Sequence, residues 1–181
     1  MNNPLKGIDV FLIGMMGVGK TSVGKSLSQK LSYRFFDTDI LLEKVAGQSI
    51  TEIFATQGEE VFRELESQVL GQLCAYTKSV ISTGGGMILK QENWGYLHHG
   101  LIVWLDAPVE LLVKRLATDT TRPLLKETDP TAKLSSLLAT RQALYSQADL
   151  QIKIEPEQSP EQIADQILEK IPTVLKNKVY S

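Results

Sequence analysis

The sequence holds one cysteine, Cys74, and two histidines, His98 and His99, in 181 residues. A single cysteine excludes an internal disulfide and a cysteine-based metal cluster, and adjacent histidines without further ligands make no metal site. Cys74 lies in an apolar helical stretch and reads as packing. The histidines fall between a helix and a strand and read as surface residues. A large excess of charge of one sign is also missing. Nineteen Lys and Arg against 21 Asp and Glu leave a net charge of −2, with a pI near 5.7. The chain therefore exerts no global attraction on nucleic acid or anionic membrane, and basic groups that matter must act locally. Apolar runs such as Leu101 to Leu105 fall far short of the about 20 residues a membrane span needs, and no secretory signal is visible. These absences predict a soluble protein of the cytoplasm, or of an organelle stroma if a transit peptide has been removed. No repeat, linker or low-complexity segment appears. Hydrophobic and charged fractions of 43% and 22% predict one domain over residues 1–181 with a sizeable core.

What is present begins at Ile8 to Ser22, IDVFLIGMMGVGKTS. An apolar run, Val10 to Ile13, leads into Gly14-Met15-Met16-Gly17-Val18-Gly19-Lys20-Thr21, which fits G-x-x-x-x-G-K-[ST] without a mismatch. The chemistry needs these residue types. Glycines let consecutive N–H groups approach a polyphosphate, and the following helix points its positive end there. Lys20 is placed for the β- and γ-phosphates and the Thr21 hydroxyl for Mg²⁺.

Further along, Val23, Leu27 and Leu31 form one apolar face, predicting a helix over Lys20 to Leu31. Tyr33 to Asp37 reads as a second strand. If Asp37-Thr38-Asp39 continues it in extended form, residues i and i+2 project to one side and both carboxylates face one site. Ser49-Ile50-Thr51-Glu52 is a capping box for a short helix that Gly58 ends. A longer helix, Glu59 to Tyr76, carries Phe62, Leu65, Val69, Leu73 and Tyr76 as its stripe. Arg63 lies off the stripe among Glu59, Glu60, Glu64 and Glu66, where it could serve merely as a helix-surface partner. Ser79 to Ser82 is a third strand ending in Thr83-Gly84-Gly85-Gly86, which either admits a ligand against the backbone or forms an ordinary tight loop.

A helix over Lys90 to Leu97, a strand over Leu101 to Leu105 and a helix opened by Pro108 and carrying Arg115 follow. Ala117 to Pro130 then loses periodicity and gains Thr, Asp and Pro; a polar loop of this length inside a compact domain is usually functional. Lys133 to Tyr145 resumes helix with Arg141, Leu150 to Ile154 is a fifth strand, and Ser159-Pro160-Glu161-Gln162 caps a last amphipathic helix. Five strands alternating with helices predict an α/β parallel sheet with helices on both faces, in which ligands collect at the carboxyl ends of strands. The glycine loop, Asp37 with Asp39, and Gly84 to Gly86 all fall at such ends.

The pieces GMMGVGKTSVG, FDTDI, IFATQGEEVFRELE, STGGGM, TRPLL and TRQALY, in this order and spacing, resemble the shikimate kinase family over nearly the whole chain. The resemblance implies a P-loop NTPase-like fold with a mobile lid near 117–130, and a monomer that transfers the γ-phosphoryl group of ATP to the 3-hydroxyl of shikimate with Mg²⁺. It assigns Gly14, Met15, Met16, Gly17, Val18, Gly19, Lys20, Thr21 and Ser22 to the nucleotide, and Thr21 and Asp37 to the metal. Asp39 would grip the shikimate hydroxyls and is the candidate base. Arg63 and Arg141 would hold the shikimate carboxylate, with Gly84, Gly85 and Gly86 closing the pocket. Arg122 would be the lid arginine on the phosphates, and Arg115 and Pro160 would flank the adenine, although a solvated surface role is open to either arginine. A related kinase acting on gluconate or a nucleoside monophosphate, and a non-catalytic protein of the same fold, are the rival readings.

Overall fold

A computed structural model of the chain describes residues 3–118 and 129–178. The strands are β1 (Val10–Ile13), β2 (Arg34–Asp37), β3 (Ser79–Ser82), β4 (Leu101–Asp106) and β5 (Leu150–Lys153). The helices are α1 (Lys20–Leu31), α2 (Thr38–Ala46), α3 (Ile50–Leu73), α4 (Gln91–Leu97), α5 (Val109–Leu116), α6 (Pro130–Tyr145) and α7 (Pro160–Lys178), with a 3₁₀ turn at Met87–Leu89. The strands form one sheet in the order β2-β3-β1-β4-β5, every neighbouring pair parallel. All residues of β1 and β3, and all of β4 but Asp106, are buried. Because successive side chains of a strand point to opposite faces, burial of every residue means that both faces of the sheet centre are covered. The edge strand β5 alternates instead, with Leu150 and Ile152 inward and Gln151 and Lys153 outward.

The parallel α/β sheet agrees with the reading of the sequence, and several boundaries differ for local reasons. Asp37-Thr38-Asp39 does not continue as a strand. Strand β2 stops at Asp37, whose Oδ1 accepts from the N–H groups of Asp39 (2.9 Å) and Ile40 (3.2 Å) and so caps α2, a helix the sequence reading missed. Gly58, at φ 85° and ψ 172°, breaks α3 into two arms as expected, and Ser49 and Glu52 form the capping box. The second arm ends at Leu73, not Tyr76; Tyr76 is exposed and packs its ring 5.5 Å from that of Phe36. Cys74 caps that end, half-buried. Pro108 precedes α5 rather than opening it, and Pro130 belongs to the first turn of α6, where Asp129 accepts from Ala132 N–H at 3.1 Å. His98 and His99 are exposed. Residues 119–128, which hold most of the expected lid and Arg122, lie outside the described residues.

Candidate active site

Strand β1 is the middle of the sheet and delivers the glycine loop at its carboxyl end. Gly14 leaves the strand so close to β4 that a Cβ there would stand 2.6 Å from the Leu105 carbonyl oxygen. No larger residue fits. At the far end of the loop Gly19 caps α1 with no side-chain hydrogen bond, so the first-turn N–H groups keep their positive end toward the cleft. Lys20 is buried, and its Nζ donates to the carbonyls of Gly14 (2.7 Å) and Met15 (3.0 Å). The loop's own backbone thus holds the ammonium group in place against its first two residues. Met15, Met16 and Val18 point into the core and anchor the loop by packing.

One residue further, Thr21 Oγ1 donates to Asp37 Oδ2 at 2.6 Å. That donation orients the hydroxyl and leaves its oxygen lone pairs to a cation. The other oxygen of Asp37 is the α2 cap, so a single carboxylate joins α1, β2 and α2. Among the described residues no three His, Cys, Asp or Glu side chains cluster as a metal cage. A hydroxyl with one carboxylate suits Mg²⁺, which is bound through few protein groups together with substrate phosphates. The donor set therefore fits the group.

The third strand end supplies the other wall. Thr38 Oγ1, in the first turn of α2, accepts from Gly84 N–H at 2.9 Å and ties that helix to the glycine run. A Cβ on Gly84 would stand 2.7 Å from Asp39 Oδ1 and 2.8 Å from Glu66 Oε2, which locates both carboxylates on the bare Cα. A Cβ on Gly86 would fall on Arg63 Nη1. Arg141 is buried and donates from Nη1 to Gly85 O at 3.1 Å. Arg63 pairs with Glu66 at 2.5 Å and with Glu59 at 3.3 Å. Two guanidinium groups and Asp39 thus converge on three glycines beside the phosphate loop. A cavity of about 210 Å³ links the two regions and is lined by Gly17, Gly19, Lys20, Thr21, Ser22, Asp37, Asp39 and Gly85, among others. A wider groove of about 560 Å³ between the 3₁₀ turn, α4 and the end of α6 contains none of the expected site residues.

Arg115 reaches the loop from α5, donating from Nη1 to Val18 O (2.8 Å) and Gly17 O (3.4 Å), so it is half-buried and held against the glycine loop. Pro160 opens α7, half-buried, on the helix that packs against α1. The sequence reading missed Glu66 as a site residue. Glu66 is 1% exposed and lies in register with Phe62, Val69 and Leu73. Its position on the apolar stripe of α3, three residues from an arginine, is the signal that marks it. Burial raises its pKa to about 7, against the lowering effect of Arg63.

Comparison with known proteins places this arrangement. The shikimate kinase family model matches residues 16–172. The shikimate kinase of Rippkaea orientalis is 59% identical over 175 residues, covering 97% of this chain and 94% of that protein. That of Trichormus variabilis is 57% identical, covering 97% of each. The solved structure of shikimate kinase from Acinetobacter baumannii in complex with shikimate superposes with a TM-score of 0.88 at 37% identity, over 94% of both chains. A family match over most of the chain, joined to a phosphate loop, an acidic pair and two converging arginines at the strand ends, leads to one conclusion: the chain belongs to the shikimate kinase family.

Proposed function

We propose that this chain transfers the γ-phosphoryl group of ATP to the 3-hydroxyl of shikimate within the cleft between the glycine loop and Gly84 to Gly86. The observation that carries the reading is the convergence of Arg63 and Arg141 on Gly85 and Gly86, next to Asp39. Two forked guanidinium groups recognise a planar carboxylate, and a neighbouring Asp recognises hydroxyls. Asp39, in the first turn of α2 and lining the cleft, is the base that accepts the proton of the attacking hydroxyl. Lys20 and the N–H groups of Gly14 to Ser22 neutralise charge on the transferring group. Thr21 and Asp37 would hold Mg²⁺, which would supply positive charge against the polyphosphate. Arg115 and Pro160 border the adenine. The protein acts in the cytoplasm as a monomer, with residues 1–181 forming one domain.

A coupled assay of ADP release, run with and without shikimate, tests the reading. Release that requires shikimate supports it; release unchanged by shikimate but driven by gluconate or a nucleoside monophosphate replaces it. Two variants probe the assignments further. Arg122→Ala should lower kcat strongly and leave the Kd for shikimate nearly unchanged, since this arginine is assigned to the phosphates and not to the acceptor carboxylate. An equal loss in shikimate affinity, measured by titration calorimetry, would reassign it. Gly86→Ala should raise the KM for shikimate with little change in the KM for ATP, because its methyl group would occupy the place of the Arg63 guanidinium. Parallel changes in both KM values would place Gly86 outside the acceptor pocket.

A further inference from the structure

Glu66 holds an unusual position for a carboxylate. Its Oε1 accepts from Arg63, while Oε2 is fully enclosed and has no hydrogen-bond partner among the described residues. An ionised carboxylate accepts at both oxygens and needs a donor at each; the enclosed one has none, which favours the neutral form. The charged groups around it are Arg63 on its own helix, with Glu59 on the far side of that guanidinium, Asp39 from α2 and Arg141 from α6. Asp39 disfavours the ionised form, since its Oδ1 and Glu66 Oε2 crowd the same face of Gly84. Only the two arginines favour it. Those are the groups to which the proposed function assigns the acceptor's carboxylate.

We propose that Glu66 takes up a proton when an anionic acceptor binds at Arg63 and Arg141, so that acceptor affinity falls as the pH rises above neutrality. The inference rests on the assignment of those arginines to the acceptor. A carboxylate placed on the two guanidinium groups cancels part of the positive potential that holds Glu66 ionised, and it deepens the burial of a group already 1% exposed. The proton comes from buffer and forms the O–H bond at Oε2, which removes the charge from an enclosed oxygen that no donor serves. With the free residue titrating at about 7, it is already protonated well below that pH, and binding then takes up nothing. Above it, each bound acceptor brings a proton with it, and affinity declines until the pKa of the complex is passed.

Titration of shikimate into the full chain at pH 7.5, in phosphate and in Tris, reads the uptake directly, because the two buffers differ in ionisation enthalpy. The expected result is a net uptake of a substantial fraction of one proton, with Kd flat below about pH 6 and rising by up to about tenfold per pH unit above 7. Glu66→Gln keeps an oxygen for Arg63 and puts an N–H where Oε2 lies. It should bind shikimate with no uptake and with a level pH profile. Binding without proton uptake in the wild type, or the same uptake in Glu66→Gln, overturns the proposal while leaving the functional reading intact. Absence of shikimate binding to the wild type overturns both. If the variant does not fold, ¹³C-glutamate labelling of the wild type serves: a buried side-chain carboxyl carbon must move to its protonated position on addition of shikimate, and a stationary signal refutes the idea.

Discussion

A Lys20→Met variant should keep its fold and lose on the order of 10³-fold in kcat, the effect of removing about 4 kcal/mol from the transition state. Methionine matches the length and apolar stem of lysine, so the buried packing around the side chain survives. The charge does not. Nζ is held by the carbonyls of Gly14 and Met15 at 2.7 and 3.0 Å, so the ammonium group is already in position before ATP arrives. A preorganised cation gives up little in reorganisation during the reaction, which is why its loss falls on kcat more than on the KM for ATP. The variant also leaves two loop carbonyls without this donor, and a modest fall in melting temperature is expected from that. Circular dichroism establishes the fold and single-turnover kinetics the chemical step. Near-normal kcat in a folded variant would remove Lys20 from the chemistry.

The glycine loop and the alternation of strands and helices were legible because both are written in local order. An apolar run before G-x-x-x-x-G-K-T, and periods of two and 3.6, need no knowledge of what packs on what. The acidic pair was legible only in outcome. Asp37 and Asp39 do face one site, yet through a capped helix start rather than an extended strand, because the Asp37 side chain satisfies N–H groups that a continued strand would have left to a neighbour. Glu66 escaped notice for the opposite reason. Glutamate among other glutamates reads as solvated surface, although Glu66 shares the buried face of α3 with Phe62, Val69 and Leu73 and meets the glycine run there. The convergence of Arg63 with Arg141, 78 positions apart in the numbering, is likewise a product of the topology; no local pattern joins them.

Arg141→Ala should weaken shikimate binding by about 2 to 5 kcal/mol, roughly 30-fold to several thousand-fold in Kd, and leave ATP binding nearly unchanged. Arg63→Ala should match that loss and add another. Arg141 donates to the Gly85 carbonyl and acts on Glu66 less strongly than Arg63 does, so its removal costs the fold less. Arg63 is the 2.5 Å partner of buried Glu66, so its removal strands a carboxyl group inside α3. Taking away the arginine also takes away the strongest influence that lowers the pKa of Glu66, and the group then stays protonated at neutral pH rather than carrying an unpaired charge. The folded variant should therefore show a lower melting temperature than Arg141→Ala, with the gap narrowing in the double variant Arg63→Ala/Glu66→Gln. Lysine should rescue neither site, since one ammonium group cannot present the paired donors of a guanidinium to a carboxylate. Calorimetry with each ligand separates the outcomes. A loss of shikimate affinity alone places both arginines on the acceptor, whereas an equal loss for ATP would show that they hold the nucleotide or the fold instead.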